Sequence, residues 1–215
     1  MHVSIIIVNY NTKTLLAGCL RSIYAQTTDM NYEIIVSDNG STDGSIEMIK
    51  SEFPNVILIE NNANLGFGGA NNRGLAIAKG KYIFYLNSDT ILLNNVTKYF
   101  YDFFEEHKAE GIGALGSNLL DEKENVIHSF GKFPTMCGML RIVLRDIASQ
   151  SAKFVLHILH NDKEHFRTSK KTESYYAGEV EYITGADLFV KNDELAKFDE
   201  NYILYYEETD LQNII

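Results

Sequence analysis

The sequence predicts an α/β fold built on a mostly parallel central sheet flanked by helices, and three observations carry that reading. Short β-branched runs alternate with helix-period segments over the first ninety residues. Each run ends in a polar cluster. The first run, Val3–Val8, is almost wholly apolar, as a strand covered on both faces requires. Strand–helix alternation at this interval means βαβ units and hence parallel pairing.

The elements follow in order. After Val3–Val8 comes polar Asn9-Tyr10-Asn11-Thr12, and then Leu15, Leu16, Cys19, Leu20 and Ile23 recur at helical spacing. Tyr32–Ser37 reads as the second strand, Ser45–Glu52 as a short helix and Val56–Glu60 as the third strand. Asn61–Gly69 reads as a Gly/Asn-rich loop before a helix over Ala70–Lys79. Lys81–Leu86 is the fourth strand and ends at Asn87-Ser88-Asp89. In parallel sheets ligands bind beyond the carboxyl ends of the strands. The clusters Asn9–Thr12, Asp38–Asp43, Asn61–Asn64 and Asn87–Asp89 are therefore expected on one rim.

Beyond Asp89 the pattern loosens. Val96–Phe104 predicts a helix, Ile112–Leu120 a strand turning through Asp121–Asn125, and Tyr182–Val190 a return to strand character. Apolar residues from Met136 to Leu159 recur every three to four positions, which predicts an amphipathic helical insertion after the core. Residues 132–171 carry eight basic against three acidic side chains, a net +5 in a chain of −10. Such a segment can lie on an anionic membrane surface, or its apolar stripe can pack on the sheet or on a second subunit of a homodimer.

Bulk properties set limits. The 215 residues make one sizeable domain, 45% hydrophobic and 22% charged. The organisation expected is a single catalytic domain over 1–215, with a nucleotide-binding half at 1–90 and an acceptor half at 91–215. The acidic balance disfavours nucleic acid. Two cysteines, Cys19 and Cys137, form no metal spacing and fit a reducing, cytoplasmic compartment. No signal peptide or membrane span is read. Leu211–Ile215 looks like the middle of a helix, so the expectation is that the C-terminal part of the domain is truncated here.

Four motifs can carry chemistry. Asp38 closes a buried strand, where its carboxylate can accept from a pyrimidine N–H, while Asp43 can cap the next helix. In Asn87-Ser88-Asp89 the first and last side chains share a side if the chain stays extended. Their hard oxygens suit Mg²⁺ or Mn²⁺; the bland reading is an Asx-turn. Gly66-Phe67-Gly68-Gly69-Ala70-Asn71 partly matches a dinucleotide fingerprint but lacks its last glycine. Glu207, Glu208 and Asp210 follow the apolar run Tyr202–Tyr206, where partial desolvation raises a carboxylate toward general-base range.

Taken in order, VSIIIVNYN, VSDNGSTDGS, NLGFGGANNRG, YLNSDT, ITGAD and YYEETDL resemble glycosyltransferase family two, the inverting family with the GT-A fold. The GFGGANN stretch is similar to its rhamnosyltransferase-like branch. The resemblance implies a nucleoside-diphosphate sugar donor, a hydroxyl acceptor and a bacterial surface polysaccharide product. Tyr10 would pack on the base of a UDP- or dTDP-sugar and Asp38, beside Asn39, would read it. Asp89 matches the last acid of the family's metal motif, with Asn87 in place of the first. Gly185 and Ala186 match the stretch beside the donor sugar. Glu208 falls where the base is expected, with Glu207 next to it. Two other readings stay open: a non-catalytic sugar-nucleotide binding module, and an NAD-dependent oxidoreductase resting on the Gly66 loop.

Overall fold

A computed structural model describes residues 1–131, 177–200 and Leu211. The predicted insertion, the basic segment and both candidate base residues lie outside these described residues.

Four parallel strands form the heart of the sheet: β1 (Val3–Asn9), β2 (Tyr32–Asp38), β3 (Ile57–Glu60) and β4 (Tyr82–Asn87). Helices α1 (Lys13–Gln26), α2 (Ser45–Glu52) and α3 (Gly66–Leu75) connect them, and α4 (Val96–Glu106) follows β4. Two strands complete the sheet: β5 (Ala114–Leu115) and, beyond a separate antiparallel pair of β6 (Phe130–Gly131) with β7 (Tyr182–Ile183), β8 (Asp187–Lys191). The order is β3-β2-β1-β4-β8-β5. Only β8 runs against its neighbours, pairing Leu86 with Asp187 and Tyr82 with Lys191. The α/β architecture with a mostly parallel sheet is thus as predicted.

Both faces of the sheet are covered, which explains the unbroken apolar runs. Ile5 and Ile7 of β1, Val36 of β2 and Phe84 of β4 pack beneath α1, α2 and α4. Ile6, Ile35, Ile83 and Tyr85, one register position away, pack on the opposite face with Leu188, Phe198 and Leu211. At roughly 25 cal/mol per Å² of apolar surface, two such layers supply the main driving force for the fold.

Three local expectations change. Gly66–Gly69 is the first turn of α3, not loop; Asn64 Oδ1 accepts the Gly66 N–H at 2.9 Å and starts the helix four residues early. Only Ala114–Leu115 pairs as strand within 112–120, although the turn at Asp121–Asn125 forms, closed by a Leu120–Val126 bridge. Tyr182–Val190 divides at Thr184–Ala186 into strands of two separate sheets, because the Thr184 N–H donates to Ser129 O and the Ala186 carbonyl is taken by the Asn87 N–H.

Candidate active site

The strand order reverses between β1 and β4, and the carboxyl ends of both, with that of β2, form one rim. Crevices at such a reversal are where open α/β sheets bind ligands. Asn9 and Asp38 are register partners at the ends of β1 and β2. Asn87 closes β4 on the other side of β1.

Side-chain amides and hydroxyls lock the rim loops together. Asn9 Nδ2 donates to Asp38 Oδ2 at 2.6 Å and to Ser41 Oγ at 2.9 Å. Asp38 Oδ1 accepts the backbone N–H groups of Gly40 and Ser41 at 3.0 and 2.8 Å. That pattern holds the turn in which Gly40 adopts φ +80°. Thr12 Oγ1 donates to Asn9 Oδ1 at 2.6 Å and lies 3.0 Å from Ser88 Oγ, so the loop after β4 is tied to the loop after β1. Asn39 Nδ2 donates to Asn64 Oδ1 and the Gly66 carbonyl, and Asn39 Oδ1 accepts from Asn61 Nδ2, which joins the loop after β3. Asp38 is fully buried and Asn39 nearly so, while Tyr10, on the same rim, is 50% exposed. The acid organises the loop; the aromatic ring faces outward and is available for stacking.

Asp43 does cap a helix start, but two are involved. Its Oδ2 accepts the Lys13 N–H at the start of α1 at 2.8 Å, and its Oδ1 accepts the Ser45 N–H at the start of α2 at 3.0 Å. Burial opposes its charge, yet the bonds from Ser45 and Lys13 outweigh this and hold its carboxyl below the usual range. Asp43 also lines an open depression of about 330 Å³ with Asn11, Thr12, Lys13, Thr14 and Leu15. A larger depression of about 440 Å³, around Arg21, Tyr24 and Phe53, lies at the opposite end of α1, far from the rim chemistry.

Asn87-Ser88-Asp89 does not stay extended. The Thr90 N–H turns back to the Asn87 carbonyl at 3.3 Å, and Asp89 is exposed on that turn. The backbone N–H of Asn87 donates to Ala186 O at 3.0 Å, which brings Gly185-Ala186 onto the rim beside it. Among the described residues no cluster of three or more His, Cys, Asp or Glu forms. The turn thus removes the condition under which Asn87 and Asp89 would share a side, and the exposed Asp89 carboxylate is left as a single hard oxygen donor, of the kind that Mg²⁺ or Mn²⁺ takes together with waters and substrate phosphates.

Two buried titratable groups sit beneath the rim. Burial pushes the Cys19 thiol up to about 12, so it is inert as a nucleophile. Asp187 is a buried acid that motif reading passed over. Burial pushes its carboxyl up to about 7, against the opposing pull of the Ser117 hydroxyl and N–H on its Oδ2. Among the described residues its Oδ1 has no hydrogen-bond partner. Its sequence signals were its place at the end of the ITGAD stretch and an acid opening an otherwise apolar strand.

The glycine motif is not a dinucleotide cradle. It follows β3, at the edge of the sheet rather than at the strand-order reversal. A Cβ on Gly68 would stand 3.1 Å from Phe198 Cβ, so protein, not a ligand, occupies the space that this glycine leaves.

Residues 4–118 match the profile of Glycosyl transferase family 2. The chain is 36% identical over 115 residues to a poly(ribitol-phosphate) beta-glucosyltransferase of Bacillus spizizenii, covering 51% of this chain and 18% of that protein. It is 38% identical over 126 residues to the UDP-Glc:alpha-D-GlcNAc-diphosphoundecaprenol beta-1,3-glucosyltransferase WfaP of Escherichia coli, covering 58% and 49%. It therefore spans half or less of the length of these relatives. A crystal structure of S. aureus TarS 1–349 in complex with UDP has the same fold, at a TM-score of 0.53 and 24% identity over 61% of this chain and 40% of that one. With more than half of its residues inside the profile, and with the sheet and rim just described, the chain belongs to glycosyl transferase family 2.

Proposed function

We propose that this chain carries the donor-binding part of an inverting glycosyltransferase that moves a sugar from a UDP- or dTDP-sugar to a hydroxyl acceptor. The observation that carries the reading is the rim itself. Asn9, Asp38 and Asn87 meet where the strand order reverses, and Ala186 is hydrogen-bonded to the same edge. Residues 1–90 form the nucleotide half and residues 91–215 the acceptor half.

Tyr10 stacks on the base, and the loop held by Asp38 and Asn39 presents the groups that read its edge. Gly185 and Ala186 border the sugar. Asp89, with Asn87, would hold Mg²⁺ or Mn²⁺, which would supply charge neutralisation for the diphosphate leaving group. Glu208, with Glu207 as its neighbour, takes the proton of the acceptor hydroxyl. The freed oxygen attacks the anomeric carbon from the face opposite the diphosphate, so the C–O bond forms as the C–O bond to phosphate breaks and configuration inverts. Inversion of an α-linked donor gives a β product, the linkage that the names of both curated relatives state.

Those names support glucose as a donor to test beside rhamnose, and a polyol phosphate or lipid-linked saccharide as acceptor, in surface polysaccharide synthesis. No helix among the described residues is long and apolar enough to cross a membrane. A cytoplasmic enzyme that docks on the inner leaflet through 132–171, alone or as a homodimer, fits such an acceptor.

Thermal unfolding with a panel of nucleotide sugars, with and without Mn²⁺, tests the reading. A UDP- or dTDP-sugar should raise Tm in the presence of Mn²⁺, since a ligand that binds only the folded state stabilises it. If no nucleoside diphosphate or its sugar shifts Tm, the proposal falls.

A further inference from the structure

The GFGGANN motif has a task that neither cofactor binding nor helix formation explains. After β8 the chain makes a single 3₁₀ turn, Glu194–Ala196, and then crosses α3. Asn72 of α3 grips this crossing at three points. Its Oδ1 accepts the Phe198 N–H at 2.9 Å, and its Nδ2 donates to the Phe198 carbonyl at 2.9 Å. The same Nδ2 donates to Glu200 Oε1 at 2.9 Å. One side-chain amide thus imitates a strand partner for Phe198 and also holds the side chain two residues on.

The surroundings are built for the same seat. Gly68, one helical turn before Asn72, leaves room for Phe198 Cβ and the Asp199 carbonyl, which would stand 3.1 and 3.6 Å from an added Cβ. Phe67 meets the Phe198 ring edge-on at 5.7 Å, and Tyr85 does so at 4.9 Å. The Tyr85 hydroxyl donates to the Ala196 carbonyl at 2.7 Å. Phe198 is buried, as is Leu211, and both belong to one apolar cluster. Phe198 precedes, and Leu211 follows, the stretch 201–210 that carries Glu207 and Glu208 in sequence, and both flanking residues pack on the α3 face of the sheet.

We infer that Asn72 is a positioning residue for group transfer: by clamping Phe198 and Glu200 to α3 it sets where the chain that carries the general base begins. The inference rests on the transferase reading above. Asn72 touches neither donor nor acceptor in this scheme, so its loss should act on turnover and spare nucleotide binding.

Hydrogen exchange, nucleotide affinity and turnover of Asn72→Ala test this together. Peptides covering 196–211 should exchange faster, those of β1 and β4 should not, and UDP affinity in Mn²⁺ should hold within about twofold. Turnover should fall by tenfold or more at unchanged donor KM, the scale of a misplaced catalytic group. Asn72→Asp removes the donor and sets two carboxylates together; adding Glu200→Gln restores a donor–acceptor pair between the side chains and should recover part of the turnover, which a packing defect would not allow. Unchanged exchange over 196–211, full turnover, or a loss of UDP affinity in proportion to turnover each overturns the inference. A wild-type protein that binds UDP yet transfers from no nucleotide sugar overturns the transferase reading, and the positioning role falls with it.

Discussion

Asn9 and Asp38 face each other across adjacent parallel strands, and the Asn9 amide donates to the Asp38 carboxylate at 2.6 Å. A buried carboxylate that also accepts two backbone N–H groups is a scaffold for the loop it ends. Asp38→Ala leaves the Gly40 and Ser41 N–H groups and the Asn9 amide without their acceptor. A buried donor stripped of its partner costs about 1–3 kcal/mol. Urea unfolding should show a loss of about 2–4 kcal/mol, and calorimetry a weaker nucleotide affinity. A variant as stable as wild type would mean that the loop does not depend on this acid.

Asp89 is exposed on its turn, so removing its carboxylate should leave the fold intact. Asp89→Ala should lose the Mn²⁺-dependent part of nucleotide binding, with Tm in the absence of ligand within a few degrees of wild type. Undiminished binding in Mn²⁺ would show that the metal is held elsewhere.

Glu208→Gln removes a proton acceptor while keeping shape. Donor affinity should be unchanged and turnover should drop by roughly 10²-fold or more, the contribution typical of a general base. A larger drop in Glu207→Gln would assign the role to that residue instead.

The buried Asp187 makes stability depend on pH. Its carboxyl titrates at about 7 when folded, against an ordinary value of 3.8. The folded state therefore holds a proton that the unfolded chain has released across that interval. Its contribution is complete below pH 3.8 and is lost as pH rises toward 7, flattening above it; the full difference is at most about 4 kcal/mol. Asp187→Asn keeps an acceptor for Ser117 and cannot ionise. Relative to wild type it should gain stability between pH 4.5 and pH 8, as read from denaturant midpoints. A constant difference across that range would show that Asp187 is ionised when folded.

How much of this was legible in sequence differs from residue to residue. The buried runs VSIIIV and YIFYL could only be strands covered on two faces, and the polar clusters after them could only meet on one rim. The reversal of β8 was invisible, because an apolar strand reads alike in either direction. Asp187 was missed because the cost of burying a carboxyl depends on what surrounds it, and those neighbours come from Ser117, far away in the chain. The start of α3 was missed because Gly66–Gly69 has the composition of a loop. What that composition hides is the Gly66 N–H bonded to Asn64 Oδ1 where the helix begins, and the close seat that Gly68 gives Phe198. Asn72 stands in the GFGGANN stretch that carried the resemblance, but its contacts were not legible, since its partners lie more than a hundred residues on.

The antiparallel strand also fixes an order of assembly. Leu86 and Asp187 pair across about a hundred residues of intervening chain, a costly loop to close and a slow one. The β1–β4 half can take shape as soon as it leaves the ribosome. Gly185-Ala186, hydrogen-bonded to Asn87, and the run onto α3 behind it can join only after everything between has been made. A nascent chain thus passes through a stage in which the rim of β1, β2 and β4 lacks Gly185-Ala186, exposing the free edge of β4 until β8 arrives to cover it.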